Sequence, residues 1–237
     1  MNRILETDIK KGHLERVGRD YNLITNKKSF QYYLKRRKKY LKEFCLKIEK
    51  NNIIIVDLAA GSGNYSESLL NYSHLINIDL SFNALKVNAT LNNKILRINA
   101  NALNIPLKDN SIDSLLLIGL LHHIPSCLPR LFQEILRVLK NDGTIFIDEA
   151  NGYNIMWFIY MKLCGIDKVG TKPLFPHSIK KLARNYCLTI KRELYWGFIP
   201  PWPDKKFMID VFDKIGSFIE NSFFSYFCTR YLLILKK

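Results

Sequence analysis

The chain predicts an α/β fold with a doubly wound, mostly parallel sheet, and three observations carry that expectation. The run Ile53–Val56 is apolar without polar alternation, which is how a strand buried on both faces reads. It ends in Asp57 and a loop of small residues, Ala59-Ala60-Gly61-Ser62-Gly63. Further apolar runs alternate with helical patterns, and that alternation implies right-handed crossovers between parallel strands.

The elements follow in order. Phe30, Tyr32, Tyr33, Leu34, Tyr40, Leu41 and Phe44 recur at spacings of three and four, so an amphipathic helix is expected over about Ser29–Glu49. After the strand at Ile53 and its glycine loop, a helical pattern starts near Tyr65. A second strand, Leu75–Ile78, ends in Asp79. Strands are expected at Ser114–Gly119 and Thr144–Asp148, the latter entered by a tight Asp142-Gly143 turn. Beyond them, Ser178–Asn185 reads as a short helix with Ser178 as N-cap. Leu188–Leu194 reads as a strand, Phe207–Phe224 as a helix and Thr229–Leu235 as a last strand. No linker-like stretch divides the chain, so one domain spans 1–237. It has a basic helical region (1–50), a nucleotide-binding half (53–150), and a part with an apolar cap insertion and the remaining strands (151–237).

A strand, a glycine turn and a helix bring backbone N–H groups close to a ligand, and Gly61 and Gly63 carry no Cβ to block it. An acidic side chain at the tip of the second strand, Asp79, suits two ribose hydroxyls. The ligand is therefore a ribose-containing cofactor. A nicotinamide fingerprint would need Gly or Ala where Ser66 stands, and it calls for no acid at Asp57.

Further motifs follow at Asn101-Ala102, Ile105-Pro106-Leu107, Asp109–Asp113, Leu120-Leu121-His122-His123 and Glu134–Gly143. With the glycine loop they resemble, over about residues 53–150, the class I S-adenosylmethionine (SAM)-dependent methyltransferases of the small-molecule, type 11-like group. The resemblance implies a Rossmann-like sheet of seven strands, the last antiparallel. It implies SAM as cofactor, held by Asp57, Ala59, Gly61, Gly63, Asp79, Leu80, Asn101, Ala102 and Ile118. The family usually has Gly where Ala59 stands and Asp where Asn101 stands. Ala59 implies a negative φ or a tolerated cost of up to roughly 1 kcal/mol. The Asn101 amide oxygen still accepts a hydrogen bond from an adenine amine, without charge.

Methyl transfer from a sulfonium mainly requires alignment of the acceptor. A base is needed only where the acceptor must lose a proton. His123 and His122 are the candidate bases, because imidazole titrates near neutral pH. The alternative is a pair of structural loop histidines. Glu149 is a further polar group that can face the acceptor, and Tyr21 and Tyr33 can line the cap. Arg137 and Asp113 read as structural partners of nearby charges.

Composition bounds the rest. Five scattered cysteines without C-x-x-C spacing argue against disulfides and zinc, so no metal and a cytoplasmic setting are expected. The first residues contain no apolar segment of signal-peptide type. The net charge is +15, and residues 1–50 hold 15 Lys and Arg against 6 Asp and Glu. Lys35–Lys39 is the centre of that excess. It reads either as a solvated helix face or as a surface for an anionic membrane or RNA. The acceptor is expected to be a small or lipid-like molecule under an apolar lid built from Tyr153–Leu163, Tyr195-Trp196 and Pro200-Pro201-Trp202. The alternatives are an RNA methyltransferase resembling the tRNA wobble-uridine enzymes, and a non-catalytic SAM-binding accessory subunit.

Overall fold

A computed structural model describes residues 27–46, 52–71, 73–90, 93–156, 159, 174–199 and 205–237. Helix α1 (Lys28–Leu46) precedes β1 (Ile53–Leu58), the 3-10 turn Ser66–Leu69, β2 (Ser73–Asp79), α2 (Phe82–Ala89) and β3 (Leu96–Asn99). Then come β4 (Ile112–Ile118), two 3-10 turns (Leu121–His123 and Pro125–Cys127), α3 (Leu128–Val138) and β5 (Leu139–Ala150). The remainder is α4 (Pro176–Asn185), β6 (Thr189–Trp196), α5 (Lys206–Glu220), the 3-10 turn Phe223–Phe227 and β7 (Arg230–Lys236).

The seven strands form one sheet in the order β3-β2-β1-β4-β5-β7-β6. β1 to β5 are parallel, and β7 runs antiparallel between β5 and β6. This is the expected Rossmann-like methyltransferase fold. Strand order reverses between β1 and β4, which opens a crevice at their carboxyl ends.

Each strand serves two cores by its period of two. Val56, Leu58, Leu115, Leu117, Ile145, Ile147, Tyr231 and Leu233 face one core, where Phe132 and Ile135 of α3 and Ile179 of α4 pack. Ile53, Ile55, Leu116, Phe146, Leu232 and Ile234 face the other, covered by Leu41 and Phe44 of α1. Both sides are buried, and that is why these strands read as apolar runs.

Several expectations need correction. The pattern from Tyr65 yields only the four-residue 3-10 turn Ser66–Leu69, not a helix. Ser178 does not cap α4; Phe175 occupies the N-cap and Pro176 the first turn, where its missing N–H costs nothing. Asp142-Gly143 does not precede β5 but lies within it, where the pairing with β4 shifts register between Ile112 and Ser114. Arg137 pairs with Glu134 and Asp109, and Asp113 accepts from the Ile54 amide and Lys140, both as expected.

The basic run is the largest correction. Arg36 makes a bidentate pair with Glu220 of α5 at 2.5 and 2.6 Å. Arg37 is buried, with its Nε donating to Asp148 at 2.5 Å. Arg230 donates to the other oxygen of Asp148 at 2.7 Å. Trp196, fully buried, sits beside all three guanidinium groups. Lys35–Lys39 is therefore not one solvated basic face. Its two arginines clamp α1 to α5 and to the sheet.

Candidate active site

One side of the crevice is made by backbone geometry. Asp57 lies in β1, buried, in register with Asn77 and Leu116. The chain then turns sharply, with Ala59, Gly61 and Gly63 all in the left-handed region at φ 63, 54 and 75°. Of the two readings for Ala59, the positive φ with its cost is the one realised. The Ala59 and Ala60 amides both donate to the Ile78 carbonyl, which ties the loop to the end of β2.

The two glycines differ in purpose. A Cβ on Gly63 would lie 2.5 Å from the Asn88 side chain, so its absence permits α2 to pack. A Cβ on Gly61 would meet nothing within 4 Å. Its open side is where a ligand can approach the main chain.

Asp79 sits at the tip of β2, as expected, and already has backbone partners. Its carboxylate accepts from the Gly61 amide at 2.8 Å and the Ser81 amide at 2.7 Å. Leu80 follows it, with its carbonyl held by Asn99 Nδ2. Asn101 lies two residues past the end of β3 (Leu96–Asn99), exposed. Its Oδ1 accepts from the Leu103 amide at 2.9 Å, so one lone pair forms a turn and the other is left for a ligand. Ala102 packs against the first core. Ile118 closes β4 on the far side of the crevice.

The loop after β4 carries the expected histidines. Gly119 (φ 66°) donates to the Asp148 carbonyl, which aims the chain at the end of β5. There Glu149, fully buried, accepts from the Leu121 amide at 2.6 Å and meets His122 Nδ1 at 2.7 Å. The carboxylate fixes that ring and leaves Nε2 as the nitrogen able to take a proton. The His123 ring lies 4.1 Å from that of His122. His122 is a ring that Glu149 orients.

Tyr231 of β7 is the register partner of Glu149 and is fully buried on the same face. Its hydroxyl has no hydrogen-bond partner among the described residues. Burial first, and then the nearby Glu149 charge, hold that hydroxyl protonated far above the usual phenol range. Sequence reasoning missed it, because Tyr231-Leu-Leu-Ile-Leu reads as an ordinary core strand.

Tyr33 turns out to be an anchor. Its hydroxyl donates to the Ile199 carbonyl at 2.5 Å and contacts Thr229 Oγ1 at 2.6 Å. Of the expected lid, Trp196 belongs to the second core, while Tyr195 belongs to the first, its ring 4.8 Å from that of Tyr226. Tyr153 stacks near Phe175 and His177. Tyr21, Pro200, Pro201, Trp202 and most of Tyr153–Leu163 lie outside the described residues, as does Cys164. Among the described residues no three His, Cys, Asp or Glu side chains converge as a metal site.

Comparison with known proteins matches this architecture. Residues 56–147 match a family model described as a methyltransferase domain. An uncharacterized protein of Methanocaldococcus jannaschii is 32% identical over 119 residues, covering 50% of this chain and 45% of that protein. A demethylmenaquinone methyltransferase of Listeria welshimeri is 28% identical over 162 residues, covering 63% of this chain and 66% of the enzyme. The chain thus spans less than two thirds of the length of these curated relatives. A Thermotoga maritima crystal structure described as a SAM-dependent methyltransferase, possible histamine N-methyltransferase, superposes with a TM-score of 0.66 at 18% identity, covering 96% of this chain and 99% of that one.

Proposed function

The chain carries the class I SAM-dependent methyltransferase fold, and from it we propose an enzyme that methylates an O or N atom of a small or lipid-like acceptor. The observation that carries this reading is the left-handed loop at Ala59–Gly63, open above Gly61 and backed by the Asp79 carboxylate at the switch point of the sheet. The donor set fits SAM: a carboxylate at a strand tip for ribose hydroxyls, a bare backbone for the amino-acid end, and an amide oxygen at Asn101 for an adenine amine. Bound SAM supplies an activated methyl on sulfur.

The chain's own part is to orient and to accept a proton. Glu149 holds His122 so that Nε2 can take the proton of an attacking hydroxyl or amine. A lipid-like acceptor is favoured by the aromatic surroundings of this side, Tyr153, Tyr195 and Tyr226. It is also the kind of reading that the demethylmenaquinone methyltransferase relative supports. RNA is the weaker reading, because Arg36 and Arg37 of the basic run are engaged inside the protein.

Calorimetry tests the proposal. SAM and its demethylated product should each bind with 1:1 stoichiometry, and NAD should not. Asp79→Ala should weaken SAM binding more than Asp57→Ala, by roughly 1.5–3 kcal/mol per charge-assisted bond lost. Folded protein that gives no heat with SAM would sink the reading.

A further inference from the structure

Helix α5 has apolar residues on more than its inward side. Ile209 and Gly216 face the protein. A second stripe, Phe207, Val211, Ile215 and Phe218, recurs at helical spacing, and every one of these residues is exposed. The stripe continues into the 3-10 turn that follows, where Phe223 is 86% and Phe224 58% exposed. Soluble proteins seldom leave such a continuous apolar surface without a use.

Its position ties it to the site. The turn Phe223–Phe227 precedes β7, whose first residue Arg230 pairs with Ala150 at the carboxyl end of β5. Asn151 Nδ2 donates to the carbonyls of Tyr226 and Cys228, and Asn154 Nδ2 to that of Phe227. The aromatic turn is thus hung from the segment just after Glu149, at the rim of the acceptor side.

Charge accompanies it. Lys28, Lys35, Lys39 and Lys42 form an exposed stripe along α1. Tyr32 and Arg36, on the adjoining flank of α1, bind Asp213 and Glu220 of α5. The lysines therefore stand on the helix packed against α5, whose aromatic stripe faces away from that contact. Apolar rings flanked by lysines suit the surface of an anionic bilayer, where the rings enter the headgroup region and each lysine adds attraction.

We infer that the aromatic rim formed by α5 and Phe223–Phe227, with the lysines of α1, docks this protein on an anionic lipid bilayer with its acceptor site facing the membrane. The inference rests on the proposed methyltransferase reading for its purpose, since the acceptor is then taken directly from the lipid phase. It does not rest on that reading for its test.

Co-sedimentation with phosphatidylcholine vesicles, alone and mixed with phosphatidylglycerol, is the experiment. The intact protein should bind the mixed vesicles, and added salt should weaken that binding. The double variant Phe223→Ser, Phe224→Ser changes only exposed rings, and should bind about tenfold or more weakly. Lys35→Glu with Lys39→Glu should also bind more weakly. SAM calorimetry on the same preparations should be unaltered, which shows them folded. Failure of SAM binding alone strikes the proposed function and leaves docking standing. Absence of vesicle binding by the intact protein overturns the inference. So does vesicle binding that the phenylalanine variant retains in full. Self-association in vesicle-free solution that the same variant abolishes would also overturn it, by assigning the rim to a second copy of the chain.

Discussion

Asp148 and Glu149 are consecutive, both fully buried and both at the carboxyl end of β5, yet they do opposite things. The pleat sends them to opposite faces of the sheet. Asp148 meets Arg37 and Arg230 in the second core, so its charge is spent inside the protein. Glu149 meets one backbone amide and one histidine at the edge of the crevice. Burial alone therefore does not say what a carboxylate does. Their partners differ: a guanidinium only donates, whereas an imidazole can donate from one nitrogen and accept at the other.

Substitution can sharpen that contrast. The largest effect is expected for Arg37→Ala, which removes one of two counter-charges from a buried carboxylate. It should cost about 3 kcal/mol in a denaturant titration. A loss under half of that would show that Arg230 alone suffices. Glu149→Gln should leave the fold intact but present an amide N–H to His122 Nδ1, moving the ring proton to Nε2. Turnover should then fall on the order of 100-fold while SAM affinity stays the same. Equal turnover in both proteins would make Glu149 structural, like its neighbour.

The two loop glycines make a second contrast. Gly63→Ala should lower stability by about 2 kcal/mol or more, since a Cβ there collides with Asn88 as well as occupying a positive φ. Gly61→Ala should cost only about 1 kcal/mol of stability, from backbone strain, but should weaken SAM binding out of proportion. Thermal melts with and without SAM separate the two effects. The smallest change is expected for Ala59→Gly, which relieves a left-handed alanine and should raise stability by up to about 1 kcal/mol. An unchanged or lowered melting temperature would place the loop in another conformation in solution.

The cofactor side was legible in the sequence because local backbone needs write it. Glycine, a short loop and acids at strand ends sit within a few residues of one another, as at Asp57–Gly63 and Asp79. The surroundings of the end of β5 were less legible because distant pairs make them. Glu149 and His122 are separated by 27 positions, and Arg37 and Asp148 by 111. A run of five basic residues looks uniform in sequence. Only the packed structure separates Arg36 and Arg37, which face α5 and the sheet, from the exposed Lys35 and Lys39. The short turn after the glycine loop also sits beside a distant contact. Tyr65 receives a hydrogen bond from Arg37 and its ring lies 4.8 Å from that guanidinium, and only the turn Ser66–Leu69 follows. Tyr231 was hidden because a buried hydroxyl leaves no mark in an apolar run.

The place of β7 in the sheet has a consequence for synthesis. It lies between β5 and β6 but follows both in the chain. On the ribosome, β1 to β4 can complete their ladders with one another as soon as they emerge. β5 can pair on one side only, and β6 has no partner in the sheet at all until Arg230–Lys236 has been made. The nascent protein must therefore carry an unpaired β6 and a half-open β5 through the whole of α5. The same late strand brings Tyr231 to Glu149 and Arg230 to Asp148. A chain stalled before β7 would present a formed glycine loop and an unfinished edge at β5 and β6.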